Sequence, residues 1–166
     1  IDRDKITQEK ANVLSRKFPK RFSFYQEKFS NLNKVCKDHP NPKAIIFDLG
    51  LSSLQLSDKE RGFSFNSEKF LNMEMGINEK SAYDTINSLN KEDLGKVIKI
   101  LGDEKDGKII ANKIDKYRLK KKIENSKELA AIIHAAKRKY KNYKRNSATK
   151  TFQAIRIFVN QELTEL

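Results

Sequence analysis

AIIFDLGLSSLQLSDKERGFSF, residues 44–65, is the stretch around which the rest of the chain is organised. It opens as a short apolar run, Ala44 through Phe47, that ends on a carboxylate, Asp48. A Gly50-Leu51-Ser52-Ser53 turn follows, then Gln55, a charged segment and Gly62-Phe63-Ser64-Phe65. An apolar strand that delivers an acid to its C-terminal end is how an open α/β sheet presents a ligand site. The same pattern also fits a buried strand whose Asp merely caps a turn, because short apolar runs followed by Asp are common.

Upstream, the chain opens Ile1-Asp2-Arg3-Asp4 without a methionine, as though cut from something longer. Asp4 is expected to cap a helix carrying Ile6, Ala11, Val13 and Leu14, closed by Pro19. Residues 21–25 alternate charged or polar with aromatic side chains and read as a strand. Phe29, Leu32 and Val35 fall at helical spacing before the Asp38-His39-Pro40-Asn41-Pro42 loop. Strand end, helix, strand, helix, strand predicts a parallel α/β sheet with right-handed crossovers.

Downstream of Phe65 the pattern turns helical. Residues 66–90 are irregular and polar, with a short helix expected near 82–89. Asn90 caps a segment carrying Leu94, Val97, Ile98 and Leu101, and Gly102 stops it. Residues 104–119 place Ile109, Ile110, Ile114 and Tyr117 on one stripe among lysines. Ser126 is expected to cap a helix with Leu129, Ile132, Ile133, Ala136 and Tyr140. Ser147 is expected to cap a long final helix with Phe152, Ile155, Val159 and Leu163. No strand is predicted after residue 65. The fold class is therefore α/β, with a helical insertion after the sheet.

The chain has 166 residues, enough for one domain with a real core. Charged residues make up 34% and apolar residues 37%, which suits a folded protein better than a disordered one. No apolar run approaches the ~18 residues of a membrane span. The single cysteine, Cys36, cannot form an internal disulfide and is expected to be a small buried apolar residue. Two histidines, His39 and His134, are too few and too scattered to imply a metal site. Charge is informative once located. Residues 105–150 hold 16 Lys/Arg against 4 Asp/Glu, a net of +12 out of +13 for the whole chain. A localised basic surface beside Tyr117, Tyr140 and Tyr143 suits a polyanion, since each neutralised phosphate releases counterions. The alternative is a solvated lysine-rich helical face. The division predicted is a sheet edge for a small cofactor and an insertion for a polyanionic substrate.

The segments DLGLSSLQL (48–56) and ERGFSF (60–65) resemble the signature of the bacterial 16S ribosomal RNA (cytosine-N4)-methyltransferases, the MraW/RsmH family. Other pieces agree in order. IDRD (1–4) resembles the acidic end of the family's second strand, and FSNL (29–32) the segment after its third. LNMEM (71–75) resembles a Leu-Asp-Met-Arg-Met tract, and TKTFQAIRI (149–157) a Thr-Arg-Thr-Phe-Gln-Ala helix. The resemblance runs the full chain. It implies a partial Rossmann-like S-adenosylmethionine methyltransferase sheet with a mostly α-helical insertion domain. Residues 1–65 would bind cofactor, 66–146 would form the insertion that recognises RNA, and 147–166 would return to the methyltransferase core.

By this resemblance Asp2 would accept hydrogen bonds from the ribose hydroxyls of S-adenosylmethionine, and Phe29 would contact the adenine. Taken alone, Asp2 could instead cap the first helix and Phe29 could be ordinary core. Gln55 would add a polar cofactor contact. Asp48 would sit between cofactor and incoming base as the catalytic residue, and it or the backbone carbonyls after it would accept a hydrogen bond from the cytosine amine. The target base must be unstacked to reach such a pocket, which favours single-stranded or loop RNA. Charge placement nominates Lys120, Lys121, Lys122, Lys137, Arg138, Lys139, Lys141, Lys144 and Arg145 as phosphate contacts. Tyr140 and Tyr143 would be base-stacking platforms. The partner implied is 16S rRNA in the small ribosomal subunit, and the compartment the cytoplasm.

Departures bear on activity. The family's first strand and Gly-rich cofactor loop would lie before Ile1, and its late strands beyond Leu166. A sheet without its first strand exposes unpaired backbone and apolar side chains. Leu54 and Ser147 stand where proline is usual, and Asn72 and Gly76 replace acidic residues. The chain alone is therefore expected to bind S-adenosylmethionine poorly or not at all. The alternative readings are a non-catalytic basic helical module that binds RNA, or a degraded gene product.

Overall fold

The computed structural model describes residues 1–39, 41–137 and 146–166, and many of its helices begin where a side chain satisfies a free backbone N–H. Two compact units form: residues 1–50, 75–77 and 161–166 make the first, and residues 51–74 and 78–160 the second.

In the first unit α1 spans Thr7–Lys17 and α2 spans Leu32–Asp38. The Asp4 carboxylate accepts from the Ile6 N–H at 3.2 Å, and its carbonyl accepts from Thr7. Asp4 thus shapes the entry to α1 from just outside it, while Ile6 holds the capping position. Only Ala11 of α1 is buried; Val13, at 62% exposure, faces away from any core. Residues 75–77 join this unit by a close backbone approach. Gly76 has φ +129°, and a Cβ there would fall 2.1 Å from the Arg3 carbonyl oxygen. The acidic residue usual at this position in the family would not fit this backbone.

The sheet expected in this unit does not assemble among the described residues. Residues 22–25 and 44–49 take no regular secondary structure and join no ladder, Arg21 lies in a turn, and the isolated antiparallel bridge among the described residues pairs Phe70 with Asn125. A strand needs a neighbour to receive its N–H and C=O groups. No such neighbour covers the 44–49 run: Ile46 is 89% exposed, and Ile45, Phe47 and Leu49 are exposed as well. What the sequence reads as buried strand is, in this unit, uncovered apolar chain.

The second unit holds six helices among its described residues: α3 (Ser53–Ser57), α4 (Ala82–Ser88), α5 (Lys91–Leu101), α6 (Gly107–Arg118), α7 (Ser126–Ala136) and α8 (Thr149–Val159). Ser52 with Gln55, and Ser81 with Asp84, form reciprocal capping boxes. Asn90 caps α5 by accepting from the Asp93 N–H at 2.8 Å, as its sequence position predicts. Two other expected caps are reassigned. Asn125, not Ser126, caps α7; the buried Ser126 hydroxyl donates to the Gly62 carbonyl instead. The Ser147 hydroxyl lies 2.5 Å from His134 Nδ1, and α8 starts without a side-chain cap. In both cases a tertiary partner claims the oxygen.

Helix α5 packs on α6 and α8, α6 on α7, and α4 on α8. Gly102 ends α5 by allowing contact rather than by a left-handed turn, since its φ is −97°. A Cβ on Gly102 would sit 2.4 Å from the Lys150 carbonyl of α8. Every large side chain below 2% exposure, from Leu71 through Ile155, lies in this unit. Leu71 and Met73 are buried while Asn72 and Glu74 are partly exposed. The fully buried Asn160 ties this tract to the end of α8. Its Nδ2 donates to the Met73 and Arg156 carbonyls, both at 2.8 Å, and its Oδ1 accepts from Asn78 at 2.9 Å. Replacing Asn160 with leucine should therefore cost about 2–4 kcal/mol, since buried acceptors lose their donors, and urea unfolding of the variant measures it.

Candidate cofactor and nucleic-acid sites

Phe29 begins a 3-10 turn, Phe29–Asn31, and its half-buried ring meets Phe47 edge-to-face, with centroids 5.6 Å apart and planes at 82°. The pair therefore brings the 44–49 stretch to Phe29. The next residue, Asp48, is exposed, and no described residue donates to its carboxylate. Asp2 lies in the same unit: its N–H donates to the Tyr25 carbonyl at 3.1 Å, and its Oδ1 accepts from the Asp4 N–H at 2.8 Å. Gln55 belongs to the other unit, where it is buried; its Oε1 accepts from the Ser52 N–H at 3.0 Å. That oxygen takes part in a helix cap.

Glu165 brackets Phe29 and was missed by sequence reasoning. The Ser30 hydroxyl donates to it at 2.7 Å, and the Lys28 ammonium pairs with it at 3.0 Å. Burial pushes the Glu165 carboxyl up, but the Ser30 hydroxyl and the Lys28 charge outweigh it and hold the group below its usual range. Burial likewise lowers the Arg3 guanidinium, against the opposing pull of Glu165, Glu162 and Asp2. Nothing in the local sequence around residue 165 points to this role, because its partners lie 135 residues away.

Among the basic candidates, Lys120, Lys121 and Lys122 form an exposed turn after α6. Lys121 reaches Glu128 at 3.3 Å, while Lys120 and Lys122 have no side-chain partner among the described residues. Lys137 behaves differently and corrects its sequence assignment. It is 6% exposed, ion-paired with the equally buried Glu104, and donates to the Ser147 carbonyl at 3.2 Å. An ammonium so enclosed cannot reach a phosphate. Arg138, Lys139, Tyr140, Lys141, Tyr143, Lys144 and Arg145 lie outside the described residues. Cys36 is half-buried rather than core. No three His, Cys, Asp or Glu side chains gather among the described residues in a group that could hold a metal. No described helix is long and apolar enough to cross a membrane.

Compared with known proteins, the sequence matches the MraW methylase family along residues 1–166. The chain belongs to that family. It is similar to the ribosomal RNA small subunit methyltransferase H of Ehrlichia canis (40% identity over 169 residues) and of Anaplasma phagocytophilum (41% over 172). The protein of the same name from a Sulfurihydrogenibium species is 40% identical over 170 residues. Each alignment takes in 100% of this chain but only 57–58% of the relative, so the chain spans little more than half their length. Membership in the MraW family implies a methyltransferase fold that uses S-adenosylmethionine.

Two outcomes are expected. Lys137→Met should cost about 3–5 kcal/mol by stranding Glu104, whereas Lys137→Met with Glu104→Leu should recover most of the loss in urea unfolding. Because the folded Glu165 pKa is depressed, its clamp on Ser30 and Lys28 is present above the ordinary value near 4.5 and lost as pH falls below it. NMR shifts of the Phe29 ring should follow that acid transition, and Glu165→Gln should abolish it.

Proposed function

We propose that this chain is part of a methyltransferase that transfers the methyl group of S-adenosylmethionine to N4 of a cytosine in 16S ribosomal RNA. The observation that carries the reading is the family match along all 166 residues, with DLGLSS at 48–53 and TKTFQA at 149–154 inside it. The relatives, ribosomal RNA small subunit methyltransferases H, point to the ribosomal RNA of the small subunit as substrate class. Such an enzyme would work in the cytoplasm.

The residues of the first unit fit an adenosine-bearing cofactor. Phe29 offers a half-exposed aromatic face beside Phe47, and Asp48 and Asp2 offer carboxylates in the same unit. Gln55 belongs to the other unit, its oxygen accepting from the Ser52 N–H. When bound, the cofactor supplies an already activated sulfonium methyl. The protein then needs mainly to align the acceptor nitrogen and exclude water. The cytosine amine is a poor nucleophile because its lone pair is delocalised into the ring. Asp48 accepts a hydrogen bond from that amine, localising the lone pair, and takes its proton as the N–C bond forms. Phe29 holds the adenine by its ring face, and Asp2 orients the ribose hydroxyls.

The three-part division belongs to the same proposal: residues 1–65 hold cofactor, 66–146 hold RNA, and 147–166 return to the core. So does the Rossmann-like sheet. The exposed 44–49 run would pair with strands from the sequence that the relatives possess beyond the aligned region, and this would build the sheet around Asp48. A second reading is favoured by one specific observation. The helical unit contains all of the large fully buried side chains, so it carries its own core and could act as a basic RNA-binding module without catalysis.

The test uses the chain with small-subunit rRNA and labelled S-adenosylmethionine. Alone it should neither bind the cofactor calorimetrically nor transfer methyl groups. Together with a polypeptide supplying the remaining parts of the Ehrlichia canis relative, it should methylate cytosine, and Asp48→Asn should lower the rate about 100-fold or more. Tight cofactor binding by the chain alone, or full activity of the Asp48 variant, contradicts the proposal. RNA binding without any complemented transfer selects the second reading.

A further inference from the structure

Within the helical unit, an exposed phenylalanine and a half-buried tyrosine pack on the segment that follows two lysines without side-chain partners among the described residues. Phe70 is 53% exposed, and its ring tilts against Tyr83 with centroids 5.2 Å apart and planes at 37°. A single exposed ring is ordinary on a protein surface; it is its combination with nearby uncompensated cations that suits a ligand.

The backbone fixes where this pair lies. Phe70 bridges Asn125, and the Leu71 N–H donates to the Glu124 carbonyl at 2.8 Å. Tyr83 is held from the same side, since its N–H donates to the Leu71 carbonyl at 2.7 Å. One turn further along α4, the Asn87 carboxamide bonds both backbone groups of Ile123, donating to its carbonyl and accepting from its N–H, each at 3.0 Å. Residues 70–71, 83, 87 and 123–125 therefore form one fixed patch. Lys122 adjoins Ile123 in sequence, and the exposed turn that carries Lys120 leads into it.

Charge on the patch is selective. Lys69 pairs with Glu60 at 2.9 Å, Lys127 with Glu68 at 2.6 Å, and Lys121 with Glu128 at 3.3 Å. Lys120 and Lys122 alone among these are left uncompensated. Unpaired cations beside an exposed ring suit a ligand that presents anions and flat apolar faces in alternation. A single-stranded nucleic acid does so, with phosphates for the lysines and a base for the ring. Duplex RNA keeps its bases stacked inside and offers no face to Phe70.

We propose that Phe70 and Tyr83 form a stacking platform for an unpaired RNA base, with Lys122 and Lys120 taking the flanking phosphates. This rests on the RNA-binding reading and deepens it by naming a strand state and a subsite. Its residues are other than Tyr140 and Tyr143, the tyrosines that the sequence nominates, which lie outside the described residues. It also takes a base by its face without chemistry, whichever base the reaction itself uses.

The experiment measures binding of the full chain to a labelled 12-nucleotide oligouridylate, and to a duplex of the same length, across a salt series. The chain should prefer the single strand. Phe70→Ala should weaken single-strand binding about 5- to 100-fold, with the salt slope unchanged and duplex binding unaffected. Phe70→Trp should restore it. Lys122→Ala should instead reduce the slope of log affinity against log salt by about 0.7. Circular dichroism melts check that each variant is folded; Phe70 is exposed enough for its loss to leave the core intact. If the chain binds the strand with a clear salt slope but Phe70→Ala and Tyr83→Ala bind as tightly, the platform is overturned and the RNA reading stands. If neither RNA is bound, both fall. Equal loss on strand and duplex, or binding only to anionic lipid vesicles, also overturns the platform.

Discussion

At the end of α8 one carboxamide, that of the fully buried Asn160, must satisfy the Met73 and Arg156 carbonyls and the Asn78 amide at once. Met73 is held there with φ +57°, a left-handed conformation that costs on the order of 1 kcal/mol for a residue with a Cβ. The hydrogen bonds to Asn160 and the burial of the Met73 side chain offset that strain. The other end of α8 is set by contact, where Gly102 lets the Lys150 backbone approach α5. Between these two points Thr151, Phe152, Ala154 and Ile155 face inward. The 149–157 segment that resembles the family's helix is thus a packing motif in this chain, and the tract at 71–74 depends on it.

The two units differ in how far their own residues can satisfy them. The helical unit buries a core of large apolar side chains and caps α3, α4, α5 and α7 with local side-chain oxygens. The first unit leaves Ile45, Ile46 and Phe47 in solvent and holds itself by polar links: Arg3 to the Ile77 carbonyl, Ser30 and Lys28 to Glu165. Its proposed cofactor residues sit in the unit with less core. Apolar surface left in water forgoes roughly 25 cal/mol for each Å² that a covering strand would remove. The exposed run at 44–49 is thus a driving force for whatever completes the site.

Sequence reading succeeded where cause and effect were neighbours. Asn90 caps α5 because the oxygen and the N–H it serves lie three residues apart. The segments bearing Phe29 and Asp48 could be found from wording, and their approach through Phe47 is consistent with it. Reading failed where the partner was distant. Ser126 and Ser147 have the composition of caps, but Gly62 and His134 claim their hydroxyls. Lys137 sits in a lysine tract and reads as one more surface cation, yet Glu104, 33 residues earlier, draws it inside. Gln55 is nominated by the resemblance as a cofactor contact, and the structure adds a role that the sequence did not suggest, the capping box it closes with Ser52. The strands were read from periodicity, which reports which side chains wish to be covered but not whether a neighbouring strand is there to do it.

The pairing of Glu165 with Ser30 spans 135 residues, almost the whole chain. Synthesis runs from N- to C-terminus, so Glu165 is made 135 residues after its partner. The helical unit has no such delay: its consecutive helices α5, α6 and α7 touch one another, and such local contacts form early. Residues 1–50 would therefore wait, with the apolar side chains of 45–47 uncovered, while the helical unit made after them folds. The segment carrying Asp2, Phe29 and Asp48 emerges before that unit and is secured after it.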